Sequence, residues 1–256
     1  NMDLLRRFDF EIPTGSFHNL SLSQTLSRNS IDNPIFPQKG SNISLTLKLT
    51  LPYSLFSNRS ESEYALMDPA KKFELLEYHK WDFLAEWYGK IVKNFVVKVG
   101  VKMGFLGFYN PSVGLSPFER YELGGDGISN FQGLQGKDII SLRGYRDPVT
   151  DVSAANAQGA AIYNKITMEL RYLISPNPSA TIWVLAFAEA GNAWSKFEDY
   201  NPFELKRSVG AGVRVFLPMF GTLGFDYGIG FDKPHLNGSN KVTDYGAFNI
   251  VLGFEP

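Results

Sequence analysis

The side chains that most often carry chemistry are few and scattered in this sequence. His18, His79 and His235 lie in three widely separated segments, so no pair has the spacing of metal ligands on one helical turn. Cysteine is absent, which removes thiolate nucleophiles, thiolate metal sites and disulfides together. Neither a G-x-S-x-G elbow nor a phosphate loop occurs. Gly124-Gly125-Asp126-Gly127 has the glycines of a phosphate cradle, but no apolar strand leads into it and no helix start follows, so it reads as a loop turn. Carboxylates are plentiful, yet none is marked as half of an acid and base pair. The chain is therefore expected to be no enzyme and to hold no cofactor and no metal.

Composition narrows the class. Twenty-five basic residues against 26 acidic ones give a net charge of −1 and no electrostatic footprint for nucleic acid. No run of 18 apolar residues exists, so a helical membrane span is excluded. An aromatic content of 14% with 24 glycines favours twisted, tightly turning β-structure. Asn1 to Arg7 lacks the apolar stretch of a signal peptide. The N-x-S sequons at Asn19, Asn42, Asn58 and Asn237 carry meaning only in a eukaryotic secretory pathway.

The elements are strands. From Ile43 to Leu51 every odd position is apolar and every even one polar, a period of two. In Phe95 to Phe105 one face is Phe95, Val97, Val99, Val101, Met103 and Phe105, while the other carries Lys98, Gly100, Lys102 and Gly104. Ile166 to Ile174, Val209 to Leu217, Leu223 to Phe231 and Phe248 to Phe254 repeat the pattern. Less regular strands are expected at Leu20 to Arg28, Tyr78 to Tyr88 and Thr181 to Trp194, with a weak tenth at Leu4 to Ile12. Asp68 to Glu77 reads as a short loop helix, because Asp-Pro makes a plausible start.

Connections alternate between short ones, such as Ser175 to Ala180, and long ones, of which Tyr109 to Gln158 is the longest. Transmembrane β-barrels have this asymmetry, with tight periplasmic turns and long external loops. A soluble sandwich or lipocalin-like barrel is the alternative, with its apolar face turned inward. Wet faces that mix glycine with charge fit a polar lumen and a lipid-facing exterior better. Trp81, Tyr88, Phe108, Tyr172, Trp183, Trp194, Tyr227 and Phe254 stand near strand ends and would suit interfacial aromatic girdles.

Within the longest loop lie Pro117 to Gly125 and then Ser141-Leu142-Arg143-Gly144-Tyr145. Here the sequence resembles the BamA family of outer-membrane assembly factors, whose largest external loop folds into the lumen carrying a V/L-R-G-F/Y motif. Phe187 to Trp194 is similar to the family's F-x-D-x-G-x-x-W segment, with glutamate at 189 in place of the usual aspartate. Gly221 to Tyr227 looks like its penultimate strand, and the turn Asp32 to Ser41 is also similar. The likeness implies that Leu142, Arg143, Gly144 and Tyr145 form the lumen motif and that Arg143 latches onto the wall at Glu189, with Asp226 as second choice. A guanidinium fork can give one carboxylate two of its five donors, which suits such a latch. The plain alternative is an exposed loop turn.

The same resemblance implies an all-β, antiparallel transmembrane barrel, of which residues 1–256 supply the C-terminal nine or ten strands of sixteen. The loop at 109–158 would fold into the lumen. The seam strand would carry Gly246, Phe248, Ile250, Leu252 and Phe254. Expected partners are the rest of the barrel with its periplasmic domains, accessory outer-membrane lipoproteins, unfolded outer-membrane proteins and the lipid bilayer, in a Gram-negative outer membrane. Two other readings stay open: a two-partner-secretion transporter of the same superfamily, and a porin-like channel. A self-contained ten-strand barrel is the rival architecture.

Overall fold

The computed structural model describes residues 15–57, 59–125, 136–146, 159–233 and 246–253. Nine strands form one antiparallel sheet: β1 (Ser21–Asn29), β2 (Gly40–Thr50), β3 (His79–Val92), β4 (Phe95–Gly107), β7 (Ile162–Asn177), β8 (Ala180–Trp194), β9 (Lys206–Leu217), β10 (Gly221–Gly230) and β11 (Gly246–Gly253). Each pairs with its sequence neighbour in that order. All nine expected strands are present, and the tenth, at Leu4 to Ile12, lies outside the described residues. The connection from β4 to β7 holds two further short strands, β5 (Tyr121–Leu123) and β6 (Asp138–Ile140), paired in parallel. Among the described residues β1 and β11 are each paired on one side only.

Burial separates membrane from soluble architecture. Met168 is 55% exposed while its neighbour Glu169 is 3%, and Phe225 is 44% exposed while Asp226 is 0%. Charges face in and apolar side chains face out, the reverse of a soluble sandwich and the arrangement a lipid solvent requires. A strand that alternates lipid-facing and water-facing residues also averages to a bland mean hydropathy, here −0.14.

The inner face is layered. At the end with the short turns, Val96, Leu173, Trp183, Leu185, Phe187 and Phe216 form an apolar cluster. The turn between β1 and β2 supplies its cap. Asn33 Oδ1 accepts from the backbone N–H of Ile35 and Phe36, and Asp32 Oδ1 from those of Gln38 and Lys39, at 2.8–3.1 Å. So braced, the turn places the Phe36 ring 5.7 Å from that of Trp183, edge to face. Burial raises the Asp32 pKa, but the four backbone N–H groups on its carboxylate win and hold it below the ordinary value. At the long-loop end, Leu76, Tyr78, Leu106, Tyr121, Leu123, Leu142, Tyr145 and Tyr163 pack the loop against the wall.

Two expectations need correction. The girdle assignment fails for Trp183, which is buried on the inner face beneath Phe36, and for Trp194, which Tyr200 covers with ring centres 4.9 Å apart. It fails for Tyr88 as well, whose ring lines the inner face within 5.8 Å of the Lys98 ammonium. Trp81, Phe108, Tyr172 and Tyr227 do stand exposed, and Phe254 lies outside the described residues. The loop helix spans only Pro69–Lys72, with Asp68 accepting from the Ala70 N–H. It stops because Glu74 and Leu76 pair with His18 instead, while both Glu77 carboxylate oxygens accept from Ser54. A second helix, Glu61–Leu66, carries a capping box from Ser60 and Glu63 that the sequence reading did not note.

Candidate functional site

Between the two apolar layers lies a knot of buried charge with Arg143 at its centre. Glycine at 144 adopts φ +92°, a left-handed turn that reverses the loop and aims the Arg143 side chain at the wall. Glu189 Oε2 accepts from the Arg143 backbone N–H at 2.8 Å, and Oε1 from Nε and Nη2 at 2.9 and 2.7 Å. The second choice, Asp226, is also engaged, at 3.4 Å from Nη1. A third carboxylate, Glu169 of β7, accepts from Nη2 at 2.7 Å. The guanidinium carbon sits 3.7 Å from the centre of the Phe187 ring.

The wall answers with cations of its own. Lys165 Nζ lies 2.9 Å from Glu189 and donates to the Ser141 carbonyl at 2.7 Å. Arg171 pairs with Glu169 at 2.6 Å, and Arg214 grips both oxygens of Asp226 at 2.6 and 2.7 Å. Four cations thus face three carboxylates, in the pairing and hydrogen-bonding that buried charge requires. Burial alone would lower the Arg143 pKa, but the fields of Glu189 and Glu169 reverse this and hold it well above the ordinary guanidinium range. An arginine so held stays charged.

The seat for the motif is paved with glycine. A Cβ on Gly228 would stand 2.7 Å from the Gly144 nitrogen, and one on Gly230 would stand 2.8 Å from the Tyr145 ring. Only bare backbone on β10 lets the loop approach this closely. Tyr145 is fully buried and donates to the Arg207 carbonyl at 2.7 Å, while its oxygen accepts from the Asp232 N–H at 3.2 Å. Leu142, also fully buried, packs in the loop-side apolar cluster. Glu169, Lys165, Arg171, Arg214, Gly228 and Gly230 were not singled out from the sequence. The alternation of glycine with charge on these strands was the available signal, but it marks a face and not a partner.

The loop is anchored at its other side too. Glu119 receives Lys48 Nζ of β2 at 2.6 Å and Lys80 Nζ of β3 at 3.3 Å. Burial raises the Glu119 pKa, yet the two lysines outweigh it and hold the carboxyl below its ordinary value. Within the loop Lys137 and Glu122 form a buried pair at 2.6 Å.

Of the seam candidates, Gly246, Phe248, Ile250 and Leu252 lie on β11, and Phe254 lies outside the described residues. Phe248, Ile250 and Leu252 point outward and exposed, and the Phe248 ring lies 6.2 Å from that of Phe225. Tyr227 leans over Gly246, where a Cβ would meet its hydroxyl at 2.2 Å. Gly253 has φ +99° and ends the strand.

The Omp85 superfamily domain matches residues 6–255 of the chain. The chain belongs to the Omp85 superfamily. Among solved structures, the crystal structure of BamA from Haemophilus ducreyi lacking POTRA domains 1-3 is similar, with a TM-score of 0.60 and 15% identity. The alignment covers 91% of this chain and 42% of that one, so this Omp85 chain spans less than half the length of the protein it matches. No curated protein shows significant sequence similarity. The expected likeness to a BamA barrel thus holds at the level of fold. Superfamily membership and the inverted burial together make this an Omp85 outer-membrane β-barrel chain.

Proposed function

We propose that this Omp85 chain is the seam-bearing part of an outer-membrane protein insertase. In this reading it joins further strands and periplasmic domains in one barrel, works beside accessory lipoproteins, and folds unfolded outer-membrane proteins into the bilayer through a lateral seam at β11. The observation that supports the reading is superfamily membership over residues 6–255 together with the place of β11 as an edge strand of the described sheet. Such an edge templates an incoming strand by β-augmentation. Within a bilayer an unpaired edge costs several kcal/mol per backbone group, so it must close on the barrel's first strand or on a substrate. The loop that covers the inner face speaks for insertion at the seam over conduction through the lumen. In this reading the Arg143 knot is the latch that keeps the loop docked while the seam works.

The test is a reversible lock. Cysteines at Ile250 or Leu252 and on the first strand of the full-length barrel should, when oxidised, stop assembly of a substrate barrel in vesicles, with recovery on reduction. Undiminished assembly by quantitatively cross-linked protein would reject a gating seam.

A further inference from the structure

Among the described residues the inner face of β11 makes one side-chain hydrogen bond to the lumen loop. Asn249 is 2% exposed and lies opposite Asp226 in the β10–β11 register. Its Nδ2 donates to the Gly125 carbonyl at 3.1 Å, a bond across 124 residues of sequence. Its Oδ1 is buried with no partner among the described residues, so the bond to the loop is what the side chain's polarity achieves there. Gly125 in turn donates its N–H to the Tyr145 carbonyl at 2.9 Å. Tyr145 is two residues from Arg143, and its ring rests against Gly230 of β10. An unbroken path therefore runs from the charge knot through Tyr145 and Gly125 to the edge strand.

We propose that Asn249 is a positioning residue that clamps the edge strand to the docked loop. When Arg143 is locked on Glu189, Gly125 is held where its carbonyl can receive Asn249, and β11 is held from within as well as by β10. When the loop leaves, β11 loses this contact and its inner face is released. Loop docking and edge-strand order are then one equilibrium, and the loop regulates the seam. This rests on the seam reading above, while the clamp itself is a property of the resting barrel.

The experiment is amide hydrogen exchange on the full-length protein in lipid vesicles without substrate. Asn249→Leu keeps the volume and removes the donor, and should speed exchange of Gly246–Gly253 roughly two- to tenfold, the range that one buried hydrogen bond spans, with β7 and β8 unchanged. In an Arg143→Ala background, where the loop is already released, the same substitution should add less than about twofold, because coupled residues do not act additively. Unchanged exchange in β11, a uniform rise over all strands, or full additivity with Arg143→Ala would each overturn the clamp. Where Asn249→Leu does not insert, Asn249→Asp is measured in its place, with the same rise in β11 expected. Faster β11 exchange in Asn249→Leu together with undiminished assembly by the cross-linked barrel would keep the clamp and reject the seam reading, so the two failures are distinguishable.

Discussion

The two edges of this sheet are built from opposite materials. At one edge, β1 is exposed at all nine positions. Its side-chain hydrogen bonds are peripheral, as with Thr25 and Thr46 hydroxyls 2.9 Å apart. At the other, β11 borders a wall in which β7 to β10 and the loop share seven buried charges, and Asn249 reaches the loop itself. Both edges are unpaired on one side among the described residues, yet only one is ordered from within. The difference lies in what covers the inner face: the loop meets β11 through Asn249, while β1 stays exposed along its whole length.

The comparison breaks most severely at Arg143. Removing it leaves Glu189 and Glu169 buried with fewer cations, and breaking a buried pair on one side costs roughly 3–5 kcal/mol. Arg143→Ala should therefore lower the urea midpoint of the barrel in vesicles and open the loop to protease, making the β11 side resemble the β1 side. The double-mutant cycle with Glu189→Gln measures the latch itself, and independent effects of the two substitutions would defeat it.

Acid should act more gently, and from the β2–β3 side. The Glu119 carboxyl has a folded pKa below its ordinary value of 4.5, so its contribution is present above that value and is lost as pH falls through the folded one. Titration from neutral pH should leave loop protection unchanged down to about pH 5 and then weaken it near Lys48 and Lys80, as followed by proteolysis. A Glu119→Gln protein should lack that acid-dependent step, and its persistence there would assign the step elsewhere.

The smallest effect belongs to β1. Thr25→Val removes one exposed hydroxyl pair, worth about 0.5 kcal/mol or less, and should leave loop protease resistance as in the unaltered protein. A loop loosened by this substitution would mean that the two edges communicate.

Much of the fold was legible because a strand with one lipid face and one wet face writes its period of two into the chain, as in Ile43 to Leu51. The nine strands and the asymmetry of their connections followed from that. The inner mini-sheet of β5 and β6 did not, since three-residue strands carry too little periodicity to be seen. Nor did the burial of Trp183, because an aromatic near a strand end looks the same whether it meets lipid or a turn such as Asn33 to Pro37.

By itself the sequence determined the alternation, the polarity of each face, and the glycine that lets the chain reverse after Arg143. Local pattern suffices there, because solvent on each side of a strand acts residue by residue. Tertiary structure alone decided that Arg143 takes three carboxylates, that β10 offers it a bare glycine seat, and that Asn249 meets Gly125. Those contacts join segments 26 to 124 residues apart, and which wall a long loop meets depends on how the sheet curves beneath it.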